Sequence, residues 1–296
     1  MPQLGLITVL FKCDDVLEDF FSGISKQDHP DYKLYLIDNS YNEATTALIQ
    51  KLQEKYPLRS VEHINTGGNI GVAAGNNIGI QKALQDNCRY LLFLNNDVFI
   101  PQDYLLSKMA LLCEQHKMVS PKIFYHDSGL LWMAGGYMDY AKALGVHYGF
   151  KQKDAPRYNV AKYVSYVPTC FLMVHASVIR EVGVMDERYF AYYDDTDFVL
   201  RAVRKGIKVW YEPSLYLDHK VSSSSGGDDS MFYIYYGNRN KIYFIRKHFR
   251  SLHKLYLFTY YFIVRFFNYY LRFDSARKKQ LIKATRDGFK MKVTNK

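Results

Sequence analysis

The chain has 296 residues, 48% of them hydrophobic and 23% charged, with 16% aromatic residues and a formal net charge of +10. That balance is ordinary for a soluble globular protein with a substantial core, built as one large domain or a domain with an appendage. The four cysteines, Cys13, Cys88, Cys113 and Cys170, are scattered without a CxxC pair, which argues against a structural zinc site or a disulfide framework and fits a reducing compartment. The basic excess favours polyanionic partners (nucleic acid, an anionic membrane surface or phosphorylated small molecules), and it sits mostly toward the C-terminus.

In chain order, Leu4–Leu10 reads as a first β-strand, because its apolar run lacks the basic flank and small-residue cleavage site of a signal peptide. A helical pattern covers residues 16–24, a second strand 33–37 ends at Asp38-Asn39-Ser40, and residues 45–56 form an amphipathic helix. A third strand at 59–64 runs into a glycine-rich turn. A helix reaching about Asp86 then leads to the fully apolar strand Tyr90–Leu94, which ends at Asn95-Asn96-Asp97. Short apolar runs alternating with helices predict a mostly parallel sheet covered on both faces. Ligands of such sheets bind at the carboxyl ends of strands, where Asp38, Asn65 and Asp97 fall. Residues 122–168 are less regular. A buried strand is expected at 164–174, a short helix at 177–182, a helix at 194–205 and a strand at 207–211, followed by the segment 217–227 with its Ser/Gly tract at 222–227. From Met231 the composition shifts to Tyr, Phe, Ile and Leu with interspersed Lys, Arg and His. The boundary lies near residues 228–230, giving a domain over 1–229 and a helical extension over 230–296.

The glycines are spaced Gly67-Gly68-x-x-Gly71-x-x-x-Gly75 after the third strand, so they form neither a GxGxxG dinucleotide fingerprint nor a P-loop. Two readings stand: a tight turn with close strand–helix packing, or backbone approach to a nucleotide or sugar phosphate. Asp97 can hold a divalent cation against phosphates or simply cap a turn. Asp194, Asp195 and Asp197 crowd the start of one helix. Acids there complement the helix dipole and cap free N–H groups, and their mutual repulsion raises one pKa toward the range a general base needs. His219, taken alone, is an ordinary surface or satisfied residue whose meaning depends on what it joins.

These pieces occur in a characteristic order: Asp38-Asn39-Ser40, Asn69-Ile70-Gly71 through Asn77-Ile78-Gly79, Leu94-Asn95-Asn96-Asp97, Met185-Asp186-Glu187-Arg188, Asp194-Asp195-Thr196-Asp197-Phe198 with Arg201, His219, and Tyr236-Gly237-Asn238-Arg239-Asn240. From about Leu4 to Lys290 the chain resembles glycosyltransferase family 2, especially its rhamnosyltransferase-like members. The resemblance implies a GT-A α/β fold, with a Rossmann-like, mostly parallel central sheet flanked by helices and a C-terminal aromatic-basic helical extension. Carried across by position, it makes Asp195 the catalytic base. It assigns Asp38, Asn39, Asn69, Gly71, Gly75, Asn77, Asn95 and Asn96 to the nucleotide sugar, and Asp97 with His219 to a divalent metal, Mn2+ or Mg2+. Asp194, Asp197 and Arg201 would support the base. The chain departs from the family pattern at Leu10-Phe11-Lys12, at Asn95 and Asn96 in place of acids, at Thr169 in place of a Gly, and at Asp194 in place of a Glu.

The implied activity is inverting transfer of a sugar from dTDP-rhamnose or a UDP-sugar to a hydroxyl of a glycan or lipid-linked glycan, in cell-surface polysaccharide synthesis at the inner face of the cell membrane. A non-catalytic sugar-nucleotide binder is the alternative that Asn95 and Asn96 motivate. Nucleic-acid binding through basic and aromatic residues has no motif behind it, and no nucleic-acid partner is expected. Residues 252–271 could nearly span a bilayer, but Lys254 and Arg265 fall inside the stretch. Helices lying in an anionic membrane surface fit better, against packing on the catalytic domain or on a second subunit of a homodimer.

Overall fold

The computed structural model describes residues 3–40, 42–220 and 229–293; the 222–227 tract lies outside them. The first half runs β1 (Leu4–Leu10), α1 (Leu17–Ser25), β2 (Tyr32–Asp38), α2 (Glu43–Lys55), β3 (Val61–Asn65), α3 (Val72–Gln85), β4 (Tyr90–Leu94), β5 (Val98–Phe99), α4 (Leu105–His116) and β6 (Met118–Tyr125). It continues through β7 (Leu131–Met133), β8 (Gly136–Asp139), β9 (Leu144–His147), β10 (Lys162–Val164), β11 (Phe171–His175), α5 (Ala176–Val182), α6 (Asp194–Arg204) and β12 (Val209–His219). The C-terminal part is helical: α7 (Met231–His248), α8 (Ser251–Tyr260), a π-helical stretch (Tyr261–Phe266), α9 (Phe267–Arg272) and α10 (Ser275–Lys290).

The main sheet has ten strands in the order β10-β12-β6-β11-β4-β1-β2-β3, with β5 on β12 and β7 on β6. The half built by β4-β1-β2-β3 is parallel throughout. Its central strands are apolar on both faces because helices cover both, and β4 is buried at every position. Two glycines let α3 sit close on this half. A Cβ at Gly75 would come within 2.8 Å of Val9, and one at Gly79 within 2.3 Å of Ile7.

The other half is mixed, because β11 runs antiparallel to both β4 and β6. The single strand expected at 164–174 is two separate strands, β10 and β11, with Pro168 in the interval; proline lacks the N–H that a ladder needs. The strand expected at 207–211 is longer. It continues past a register shift between Glu212 and Tyr216, where Pro213 lies, and carries the chain to His219.

Helix α7 is built into the body of the protein. Ile234, Ile242, Phe244 and Ile245 are fully buried. Lys247 sits between two buried carboxylates, 2.7 Å from Asp186 and 2.6 Å from Asp197. The Asp197 carboxylate also receives Arg201 at 2.8 Å and His248 at 2.6 Å. Burial acts to raise its pKa, but the His248 hydrogen bond and the Lys247 and Arg201 charges outweigh it and hold the group well below the usual carboxylate range.

Among the described residues no helix is long and apolar enough to cross a membrane. Arg265, which interrupts the apolar stretch, turns inward to Asn238 Oδ1 at 3.1 Å. The opposite side of α8 and α9 leaves Leu252 at 81% and Leu271 at 77% exposure, along with exposed Leu255, Ile263 and Phe267.

Candidate active site

The carboxyl ends of β1, β2 and β4 open into a cavity of about 380 Å³, within the size range of small-molecule sites. One wall holds Asn39, Asn69, Gly71 and Asn76, and another holds Asn95, Asn96 and Asp97 with Thr169. Aromatic side chains close much of the remainder: Phe190 and Tyr192 from the segment before α6, and Phe232 from α7. Gly71 is where the backbone demands a glycine. Its φ is +88°, and a Cβ there would stand 2.6 Å from the Phe190 carbonyl oxygen.

Strand pairing assembles the acidic wall. The Asn95 N–H donates to the Cys170 carbonyl at 2.8 Å, holding Thr169 and Cys170 beside the end of β4. His219, the last residue of β12, pairs with Val98 of β5, and the Lys220 N–H donates to the Asp97 carbonyl at 2.8 Å. The His219 Nε2 therefore lies 3.0 Å from the Asp97 Oδ1, with both side chains nearly buried. A carboxylate oxygen and an imidazole nitrogen suit a divalent cation of intermediate hardness. Their separation is also that of adjacent ligands on a cation with bonds of about 2.1 Å. Among the described residues no group of three or more His, Cys, Asp or Glu side chains gathers at one point. The other ring nitrogen, His219 Nδ1, is buried with no hydrogen-bond partner among the described residues, and the ring meets Trp132 edge-on at 4.6 Å.

Asp195 stands half-buried in the first turn of α6. Its Oδ2 accepts the Tyr166 hydroxyl at 2.7 Å, and its Oδ1 accepts the Thr196 N–H at 2.6 Å and the Thr196 hydroxyl at 3.1 Å. Burial pushes its pKa up, partly offset by these hydrogen bonds. Burial and then the Asp195 charge push the neighbouring Asp194 up to about 8. Both carboxyls are thus held above the ordinary carboxylate range and titrate as a pair. Burial first, then the charges of Asp97 and Asp195, push the Cys170 thiol well above its usual range, so the two acids flank one buried, inert thiol.

An aromatic row joins the two acids, and nothing in the residue spacing announces it. Tyr166 stacks on His147 with ring centres 5.8 Å apart, His147 meets Trp132 at 4.7 Å, and Trp132 meets His219. Burial pushes His147 down to about 4, which leaves it neutral in this row. A Cβ at Gly145 would fall 2.3 Å from the Tyr166 ring, so that glycine makes room for the tyrosine that bonds Asp195.

Other residues singled out in the sequence lie away from the cavity wall. Asp38 is fully buried, with Oδ1 accepting the Ser40 N–H at 2.7 Å and Oδ2 3.2 Å from His63 Nε2. Burial acts to raise its pKa, but the His63 and Ser40 hydrogen bonds outweigh it and lower the net value. Asn39, not Asp38, faces the cavity, and its side-chain amide donates to the Gly71 carbonyl at 3.2 Å. Gly75 packs on Val9. Asn77 pins the segment before α6 through Met185 (3.0 Å to the carbonyl, 2.9 Å from the N–H) and Glu187 at 2.9 Å. Arg201 donates to the Val182 and Val184 carbonyls as well as to Asp197.

Comparison with known proteins adds three findings. The family model described as "Glycosyl transferase family 2" matches residues 6–183. Among curated proteins, the chain is 22% identical over 253 residues to the low-salt glycan biosynthesis hexosyltransferase Agl10 of Haloferax volcanii, covering 81% of this chain and 75% of that one. It is likewise 22% identical over 229 residues to the rhamnosyltransferase WbbL of Escherichia coli, covering 72% and 82%. Among solved structures, TarS 1-349 of S. aureus superposes with a TM-score of 0.61 at 12% identity, covering 98% of this chain and 80% of that one. The mannosyltransferase PcManGT of Pyrobaculum calidifontis, solved with GDP-Man and Mn2+, gives 0.61 at 10% identity, covering 99% and 76%.

Proposed function

The chain belongs to glycosyltransferase family 2, and on that premise we propose that it is a metal-dependent, inverting enzyme that moves a sugar, rhamnose first among the candidates, from a nucleotide sugar to a hydroxyl of a glycan or lipid-linked glycan. The observation that carries this reading is the Asp97–His219 pair, with donor atoms 3.0 Å apart and Asp97 on the wall of the cavity. Asn95 and Asn96 replace acids, and His219 supplies the second ligand that a lone Asp97 would lack. Asp97 and His219 would hold a divalent cation, which would supply positive charge against a departing diphosphate. Asn39 and Asn69 offer amide groups for the nucleotide, and the backbone at Gly71 comes to the surface of the same wall. Asp195 accepts the proton of the acceptor hydroxyl through a lone pair not used by Tyr166 or Thr196. The freed oxygen forms its bond to the anomeric carbon as the bond to phosphate breaks, and the electron pair leaves with the nucleoside diphosphate. One displacement inverts the centre.

The rhamnosyltransferase among the relatives favours dTDP-rhamnose, with UDP-hexoses as rivals. A thermal-shift panel of dTDP- and UDP-sugars with Mn2+ separates them. A donor at about 100 times its Kd stabilises by about 2.7 kcal/mol, which raises Tm by roughly 4–5 °C at this chain length. No shift with any nucleotide sugar would remove the reading.

The exposed apolar side of α8 and α9 supports docking on an anionic membrane surface. Leu252, Leu255, Ile263, Phe267 and Leu271 would enter the headgroup boundary, with exposed Arg272, Lys279 and Lys283 near anionic lipid. Flotation with phosphatidylserine-containing vesicles should recover the wild type and lose the triple substitution Leu252→Gln, Leu255→Gln, Leu271→Gln. Equal recovery of both proteins, or of neither, counts against it.

A further inference from the structure

Two consecutive tyrosines immediately before the acidic start of α6 occupy left-handed backbone: Tyr192 has φ +64° and Tyr193 φ +70°. Only glycine adopts this region freely, and each side-chain-bearing residue held there costs about 1–2 kcal/mol. Something must hold the turn, and the hydrogen bonds identify it. The amide nitrogen of Asn240, fully buried on α7, donates one hydrogen to the Ala191 carbonyl at 2.7 Å and the other to the Tyr192 carbonyl at 2.9 Å. Its amide oxygen accepts Arg239 Nε at 2.8 Å, so donor and acceptor ends are both committed and the side chain cannot flip without loss. The flanking carbonyls are also taken. Arg239 donates to that of Arg188 at 2.8 Å, and the Val72 N–H donates to that of Phe190 at 2.8 Å. The Tyr193 carbonyl already accepts the first helical bond of α6, from the Asp197 N–H at 2.9 Å.

We infer that Asn240 is a positioning residue for the catalytic carboxylate: it clamps the left-handed Tyr192–Tyr193 turn and so fixes where Asp195 enters the site. The inference rests on the reading of Asp195 as the base. The turn leads directly into Asp194 and Asp195, and relaxation of two left-handed residues toward ordinary backbone would redirect the first turn of α6. Displacements of about 1 Å at a reacting group can cost about a hundredfold in rate. The walls carrying Asn39, Asn69 and Asp97 belong to other elements and keep their places, whereas Ala191 and Tyr192 of the clamped turn line the cavity themselves, so the loss falls mainly on kcat and in part on donor affinity.

The test uses the full chain and a donor that gave a thermal shift. Asn240→Ala should lower kcat by 10- to 100-fold, a larger factor than any change it makes in donor Kd. The decisive arm is Tyr192→Gly, which adopts positive φ without strain. In that background the further effect of Asn240→Ala on kcat should shrink below threefold, a coupling that a purely structural role would not create. Equal losses in both backgrounds would overturn the inference. If Asn240→Ala does not fold, Asn240→Ser with and without Tyr192→Gly makes the same comparison. Asp195→Asn, run beside them, keeps the two ideas apart. Normal turnover there sinks the base assignment, whereas an inactive Asp195→Asn with additive Asn240 and Tyr192 effects sinks only the clamp.

Discussion

Asp195→Asn should lower kcat by about 10²–10⁴-fold, the range that a positioned general base contributes, while donor affinity stays within about threefold. Asparagine has the same shape and can keep its oxygen on the Thr196 N–H while its amide nitrogen donates to the Tyr166 hydroxyl oxygen, so the substitution removes proton acceptance with little change in packing. The pH dependence gives a second signature. The active base is the ionised form, and burial has raised both Asp194 and Asp195 above the ordinary carboxylate value. Wild-type kcat should therefore rise with pH as the pair ionises, and activity should be lost as pH falls through that transition. The limb lies well above 3.8, the value of a free aspartate, and should be absent from the residual rate of the variant. Steady-state kinetics from pH 5 to 9 read both effects. Near-normal turnover, or an unchanged limb, would remove Asp195 from the role.

His219→Ala should weaken Mn2+-dependent donor binding by roughly 10- to 100-fold, or about 1.4–2.7 kcal/mol, and Asp97→Asn by at least as much. The argument is one of number. Asp97 follows two uncharged residues, Asn95 and Asn96, and the imidazole 3.0 Å from its carboxylate is the partner that compensates. With the cation removed by EDTA, wild type and both variants should bind the donor about equally weakly. Calorimetric titration of donor with and without Mn2+ makes the comparison. A metal increment in His219→Ala equal to that of wild type would take His219 out of the site.

The parallel half of the sheet was legible because β1, β2 and β4 are short apolar runs, each followed by polar strand-end residues, and burial on both faces leaves no other use for such runs. The mixed half was harder, since a proline divides one expected strand and β12 extends another through a register shift. At the site, residue type suggested chemistry but could not assign position. Asp97 and His219 are 122 residues apart, and only the pairing of β12 with β5 brings them together. Gly71 and Gly75 look alike in the sequence, yet one sits against Phe190 at the cavity and the other packs on a core valine. Asn77 belongs to the same run and spends its amide on the Met185 backbone. The Asn240 bonds and the aromatic row from Tyr166 to His219 leave no periodic signal, because they depend on chain crossings that no local pattern encodes.

Lys247 restricts how this chain can drift. Its ammonium is shared by Asp186 and Asp197, so losing it weakens the pairing of two buried carboxylates at once and leaves Arg188 to hold Asp186, and Arg201 with His248 to hold Asp197. Losing Asp186 leaves the lysine with Asp197 and is the milder step, whereas losing Asp197 also takes the partner of Arg201 and His248. Mutational paths through these three positions therefore have a preferred order, with Asp186 neutralised before Asp197 is changed. A library that varies position 247 while holding 186 and 197 fixed should favour lysine over neutral residues.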